Sequence, residues 1–358
     1  MKKITNSFQR YWLKEASYVN WLIKPKKALV IKGKKPVWYP DGQINIFNSC
    51  IEKNLKKNKK KIAITYFDKD KKQFSYNYEE LSNYIKKLSF ILHNISKKKK
   101  INNILIYGAA SIETTISIFA CSQLGIHFSV IFEDLSLEAV MLRAKLLKAD
   151  FLISRSTNSE FYKKILNTKK FNFKNIIYFH QDKQLNTLKI LKLNLDTLAK
   201  KKLKLNRVKK FKSHQNFFTL FTSGSTGEPK GITHSYGNYL VYANHTCRKK
   251  FGLNMKSVVL TASDAGWING HTYALFGPLS IGSSTILLEK PSMLLEEEFL
   301  NELLLRLNIS VLYLPVTLIR MMKSIFSMKY KSKYLKTIGS MGEPLAKDVG
   351  KWYANYFN

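Results

Sequence analysis

Two hydrophobic periods alternate along the chain. From Ile46 onward, apolar runs of roughly four to eight residues, which read as strands, are separated by longer stretches with apolar side chains at helical spacing. FNSCIEKNL predicts a helix, KIAITYFD and QFSYN predict strands, and YEELSNYIKKLSFILHNI predicts a long helix. NNILIYGAA, IHFSVIF and DFLISR follow as strands, with helices through SIETTISIFACSQLG and LSLEAVMLRAKLLKA between them. Beyond these, FFTLFT, SVVLTAS, SSTILLE, ISVLYLP and LKTIGSM predict more strands separated by helical segments. Strands alternating with helices of this length mean βαβ crossovers. The expected class is therefore α/β, with stacked, mostly parallel sheets flanked by helices.

Two stretches break the pattern. Residues 1–46 carry Trp12, Trp21 and Trp38, little periodicity and the turn signal YPDG. They are expected to form a segment that wraps and anchors on the core of residues 47–358. The lysine-rich stretch from about Lys183 to Lys212 is weakly patterned and is expected to be a surface excursion before FFTLFT.

Composition adds one question. The 358 residues are 45% apolar, enough for a large core. Sixty basic residues against 24 acidic ones give a formal charge of +36, which on its own suggests an anionic partner. Only seven of the basic residues are arginine, the side chain whose planar paired donors dominate phosphate and base recognition. The lysines fall in runs such as NLKKNKKK and SKKKK, beside many asparagines and isoleucines, as an AT-rich genome would produce. These runs read as solvated surface, and no nucleic-acid partner is expected. Cys50, Cys121 and Cys247 lie far apart without metal or redox spacing, which fits a reducing compartment. No apolar run reaches the roughly 18 residues of a membrane span, and the start lacks an apolar signal core. A soluble, cytoplasmic protein without a membrane partner is expected.

The candidate chemistry sits in FTLFTSGSTGEPKGITHS, residues 218–235. An apolar strand leads into two glycines, small hydroxyl side chains and closely spaced amides, and then Lys230. Such a loop lets the backbone approach a polyphosphate while its N–H groups and the lysine supply positive charge. It is not a Walker-type loop, since the lysine follows Gly227 by three positions and no Ser or Thr comes next. A flexible polar turn is the alternative, and composition alone does not decide between them.

Residue order is more specific. TSGSTGEPKG, Thr222–Gly231, closely resembles the signature loop of the adenylate-forming superfamily. Four further blocks, in the same order, resemble the acetyl- and propionyl-CoA synthetases within it. They are VWYPDGQINIFNSCIEKNL, IHFSVIFEDLSLEAVMLRAKLLKADFLIS, ASDAGWINGHTYALFGPLSIGSSTILLE with SVLYLPVTLIR, and GSMGEPL. The resemblance implies an AMP-forming ligase. A short carboxylic acid would attack the α-phosphate of ATP, and the thiol of CoA would then displace AMP, with Mg²⁺ assisting.

It also implies roles. Thr222, Ser223, Gly224, Ser225, Thr226, Gly227 and Lys230 would wrap the β and γ phosphates, with Glu228 and Pro229 shaping the turn. Gly342, Glu343 and Pro344 would hold the adenine. Trp267, Ile268, Asn269 and Met341 would form the acyl pocket, and the bulk of Ile268 and Met341 favours acetate or propionate over longer acids. Asn269 and Lys163 are weak candidates for CoA. Arg155 and Lys164 are possible point charges where relatives carry an arginine pair. His271 is expected to be structural.

No catalytic side chain and no metal ligand is identified in this chain. The family pattern continues past residue 358 with a Thr-Glu motif for Mg²⁺, a ribose-binding aspartate, a hinge and a mobile domain carrying the adenylation lysine. The chain alone is therefore expected to bind ATP poorly and catalyse little. A truncated gene, a partial sequence or a split enzyme would each fit. Two readings of other classes remain: a catalytically silent nucleotide-binding or scaffold protein, and a basic nucleic-acid-binding protein.

Overall fold

The computed structural model describes residues 5–155, 175–179, 190–202, 205, 208–222, 228–327, 330 and 332–357. Its strands build two large sheets and two short two-stranded ladders. The first large sheet runs in the order Ile190–Leu193, Asn175–Phe179, Phe151–Ser154, Asn103–Tyr107, His127–Ile131, Asn216–Thr222, Lys230–Ser235. Its neighbours are parallel except the last two, an antiparallel hairpin at the sheet edge. The second runs Thr337–Met341, Val311–Pro315, Val258–Thr261, Ser284–Leu288, Ile62–Phe67, Gln73–Asn77, again with only the last pair antiparallel. This is the α/β, parallel-rich architecture the periodicity predicts.

The helices form where local signals and burial agree. Tyr78–Lys98 opens on a capping box: Asn77 accepts the Glu80 N–H at 2.9 Å, and Glu80 accepts the Asn77 N–H at 2.9 Å. Its Leu81, Ile85, Leu88 and Leu92, at helical spacing, are all buried. Ile112–Leu124 is buried at every position but Glu113, as befits a helix enclosed within the layers.

The lysine-rich stretch does more than bridge. Its Ile190–Leu193 is the outermost described strand of the first sheet. Leu195–Lys200 is a helix whose Leu198 is fully buried, and Lys87 donates to the carbonyl of Ala199. Three apolar residues among lysines suffice for an edge strand, because one edge needs no partner.

The N-terminal residues are tied down by specific contacts. The helix Asn6–Ala16 and the hairpin of Leu29–Lys32 with Lys35–Trp38 bring the aromatic side chains together. Trp12 and Trp38 meet edge to face at 5.4 Å, and the Trp21 indole N–H donates to the Ala16 carbonyl at 2.8 Å. Glu15, only 2% exposed, pairs with Arg248 and with Nδ1 of His245 at 2.9 Å, both on the core helix Tyr236–Lys250. Burial alone would raise the Glu15 carboxyl. Hydrogen bonds from His245 and Arg248 outweigh it and hold the group below the usual carboxylate range.

The two sheets are joined by a polar cluster. Arg155 leaves the carboxyl end of Phe151–Ser154 and reaches the second sheet. Its guanidinium contacts both Glu289 oxygens at 2.9 Å, the Tyr66 hydroxyl at 2.9 Å and Glu113 at 3.3 Å. Burial works against both charges, and the ion-pair hydrogen bonds overcome it, so Arg155 is raised and Glu289 lowered.

Candidate active site

The predicted phosphate segment begins in an antiparallel hairpin. Thr222 and Lys230 are its last paired residues, with the Thr222 hydroxyl 3.5 Å from the Lys230 carbonyl. Both are exposed, and Glu228 and Pro229 lead back into the second strand. Ser223, Gly224, Ser225, Thr226 and Gly227 lie outside the described residues, as do Lys163 and Lys164. Alternation explains why the hairpin sits where it does. Phe218 and Leu220 enter the main core, while Thr219 faces the other way. There its hydroxyl lies 2.9 Å from Nε2 of His127 and 2.7 Å from the Thr233 hydroxyl. That row pins both hairpin strands to their neighbour in the sheet.

The predicted acid segment follows the strand Val258–Thr261. Asp264 accepts the Gly266 N–H at 2.7 Å, and burial, reinforced by Asp134 and Glu133, pushes its carboxyl up to about 6. A Cβ on Gly266 would sit 2.7 Å from the Phe132 ring, so the close approach of the two sheets at this point requires glycine. Trp267 packs on Phe132 at 5.2 Å and is 53% exposed, so one face is covered and the other open to solvent. Ile268 packs partly on the main core, and Asn269 is half-buried. His271 closes the short helix Ile268–His271. It is fully buried, with Nδ1 3.3 Å from the Trp267 carbonyl, and burial pushes its pKa down to about 4. It is therefore neutral, and a ring with no exposed surface cannot exchange protons with a substrate in this state.

The predicted adenine turn follows the strand Thr337–Met341. Met341 is buried and pairs with Pro315. Gly342 turns the chain at φ +94°, and no atom lies within 4 Å of where its Cβ would be. Both facts suit a flat ring approaching the backbone. The Glu343 carboxylate is turned aside to Arg320, 3.3 Å away, and Pro344 is exposed.

The hairpin end, the Asp264–His271 segment and the Gly342 turn all follow the carboxyl ends of parallel strands, two in the second sheet and one in the first. Phe132, just past the carboxyl end of His127–Ile131, brings the first sheet onto Trp267 of the second.

The family model described as AMP-binding enzyme matches residues 51–358. The chain belongs to the AMP-binding enzyme family. Among its relatives are acetyl-coenzyme A synthetase 1 of Candida glabrata, 28% identical over 99% of this chain and 53% of that protein. Acetyl-coenzyme A synthetase of Marinomonas sp. is 27% identical over 96% of this chain and 56% of that one. That of Helicobacter pylori is 26% identical over 97% and 55%. The chain thus spans about half the length of the curated relatives it matches. In fold it is similar to an acyl-CoA synthetase of Brucella canis, with TM-score 0.76 and 19% identity over 89% of this chain and 56% of that one.

Within this AMP-binding enzyme, two residues beside the site, Phe132 and Asp264, lie within blocks quoted from the sequence but were given no role there, because the packing of Phe132 on Gly266 and Trp267 depends on how the sheets meet. Arg155 was read as a charge for a nucleotide. The structure instead encloses it among Glu289, Glu113 and Tyr66, so it is not a free solvent-facing cation. Nothing local signals this, because Glu289 is 134 positions away. Among the described residues no helix is long and apolar enough to cross a membrane.

Proposed function

We propose that this chain is the nucleotide- and acid-binding part of an AMP-forming acyl-CoA ligase acting on acetate or propionate in the cytoplasm. One observation carries the reading. The strands before Lys230's hairpin turn, before the partly apolar Asp264–His271 segment and before the left-handed Gly342 turn end at Thr222, Thr261 and Met341, and the sequence joining Thr222 to Lys230 is rich in glycine and hydroxyl side chains. The names of the relatives support the acid and the CoA acceptor.

In this reading Thr222, Ser223, Gly224, Ser225, Thr226, Gly227 and Lys230 receive the β and γ phosphates of ATP. The N–H groups and the lysine would stabilise charge as the acid oxygen bonds to the α-phosphorus and pyrophosphate leaves. The adenine lies against the backbone at Gly342, Glu343 and Pro344, the Glu343 side chain being occupied by Arg320. Trp267, Ile268, Asn269 and Met341 wall the acid, and bulk at Ile268 and Met341 selects a short one. Residues 1–46 serve as an anchor for the adenylation core of residues 47–358. Mg²⁺ and CoA are assigned as co-reactants from the family.

The test is acid-dependent exchange of labelled pyrophosphate into ATP by the protein extended to its relatives' length, comparing acetate, propionate and butyrate. Exchange that falls from acetate or propionate to butyrate supports the reading. ATP binding without exchange for any acid would instead favour a catalytically silent nucleotide-binding protein.

A further inference from the structure

Phe218 is fully buried in the first strand of the hairpin, where its ring stacks on two imidazoles. The centroid lies 4.8 Å from that of His234 at 28°, and 4.9 Å from that of His271 at 25°. His234 is its cross-strand partner in the hairpin. His271 follows a strand of the other sheet, as the last residue of the short helix Ile268–His271. The contact therefore joins the element that carries Thr222 and Lys230 to the one that carries Trp267, Ile268 and Asn269.

His271 has little freedom to yield. Phe128 stacks on it at 6.4 Å and Phe276 lies at 6.1 Å, while its Nδ1 reaches back to the Trp267 carbonyl. Close-packed interiors transmit displacement instead of absorbing it. The imidazole offers a flat plate to Phe218 and, through Nδ1, a contact to the carbonyl of Trp267, while its buried Nε2 has no hydrogen-bond partner among the described residues.

We propose that Phe218 and His271 are positioning residues that couple the hairpin to the short helix, so that a shift of one sets the placement of the other. The proposal rests on the function above only for the names of the two sites. The coupling itself is a property of the packing. In an adenylating enzyme it would hold the acid oxygen and the phosphates in one register, where a misplacement of about 1 Å is costly to rate.

The test is amide hydrogen exchange on the full 358-residue chain. Phe218→Leu is expected to speed exchange across residues 264–271 by roughly tenfold or more. Phe151→Leu is the control: the same residue type, in the same sheet and as fully buried, but without a ring contact to Phe218, His271, Phe128 or Phe276. It should leave residues 264–271 within about threefold of wild type. Equal effects of the two variants, or an effect of Phe218→Leu confined to residues 216–235, would overturn the coupling. If Phe218→Leu does not fold, the opposite direction serves. His271→Ala should loosen residues 230–235, while His271→Phe, which keeps the plate, should not, and loosening by both or neither would overturn it. Absence of pyrophosphate exchange in the protein extended to its relatives' length would remove the proposed function and leave these amide patterns to decide the coupling.

Discussion

The Glu15 carboxylate lies 2.9 Å from Nδ1 of His245, tying the first helix of the chain to a helix more than two hundred residues later. Arg248 binds the same oxygen and covers the ring of Tyr18 at 3.5 Å. Removing one member of a buried pair leaves the others uncompensated. Glu15→Ala should therefore lower stability by about 3 kcal/mol or more, read from the denaturant midpoint. Because the native Glu15 carboxyl is lowered, its contribution is complete above the unfolded value of 4.5 and is lost as pH falls through the native one. The variant should show a correspondingly weaker loss of stability in acid.

Arg155 should be intolerant of change for a similar reason. Arg155→Met strands Glu289 and Glu113 at a buried junction and is expected to cost roughly 3–5 kcal/mol. Arg155→Lys keeps the charge but not the fork that meets both Glu289 oxygens, and should fall between. Thermal unfolding of the three proteins checks the order, and a lysine variant as stable as wild type would contradict it.

Two neighbouring groups in the acid segment titrate in opposite senses. His271 has an ordinary value of 6.5 and a native value of about 4, so the unfolded chain takes up the proton first. Its stabilising effect is full above pH 6.5 and lost toward pH 4, by about 3 kcal/mol in all. Asp264 has an ordinary value of 3.8 and a native value of about 6, so stability falls as pH rises through that window. The slopes offset each other where the windows overlap. Asp264→Asn should make the protein more sensitive to acid between pH 4 and 6, and His271→Phe less so, measured as unfolding midpoints across pH.

Lys230 is exposed at the hairpin mouth and should matter to chemistry alone. In the protein extended to its relatives' length, Lys230→Ala is expected to lower pyrophosphate exchange by roughly a hundredfold. Stability should stay within about 0.5 kcal/mol of wild type. Unchanged exchange would remove the lysine from the phosphate site.

Much of this arrangement is readable from sequence because buried parallel strands must be apolar runs. NNILIYGAA, IHFSVIF and ISVLYLP each fall on a strand. Motif order likewise marks the hairpin, the acid segment and the Gly342 turn. KGITHS is not readable as a strand, since an edge position lets glycine, threonine and histidine stand where a central strand would need apolar residues. The exposure of Trp267 and the enclosure of Arg155 are also hidden. Both depend on contacts between the two sheets, and no periodicity reports how sheets meet.

The second sheet draws its strands from distant parts of the chain. Ile62–Phe67 and Gln73–Asn77 emerge early, but Ser284, whose hydroxyl bonds the Ile62 carbonyl, follows 222 positions later. At roughly 5–20 residues per second on a ribosome, that hairpin waits on the order of ten to forty seconds for its partner. No single cut separates the two sheets, and the central strands of the first are complete before the second can close. The sheet edge of Ile62–Phe67 that Ser284–Leu288 will cover thus stays unpaired throughout that interval, which gives a chaperone time to act on this early hairpin.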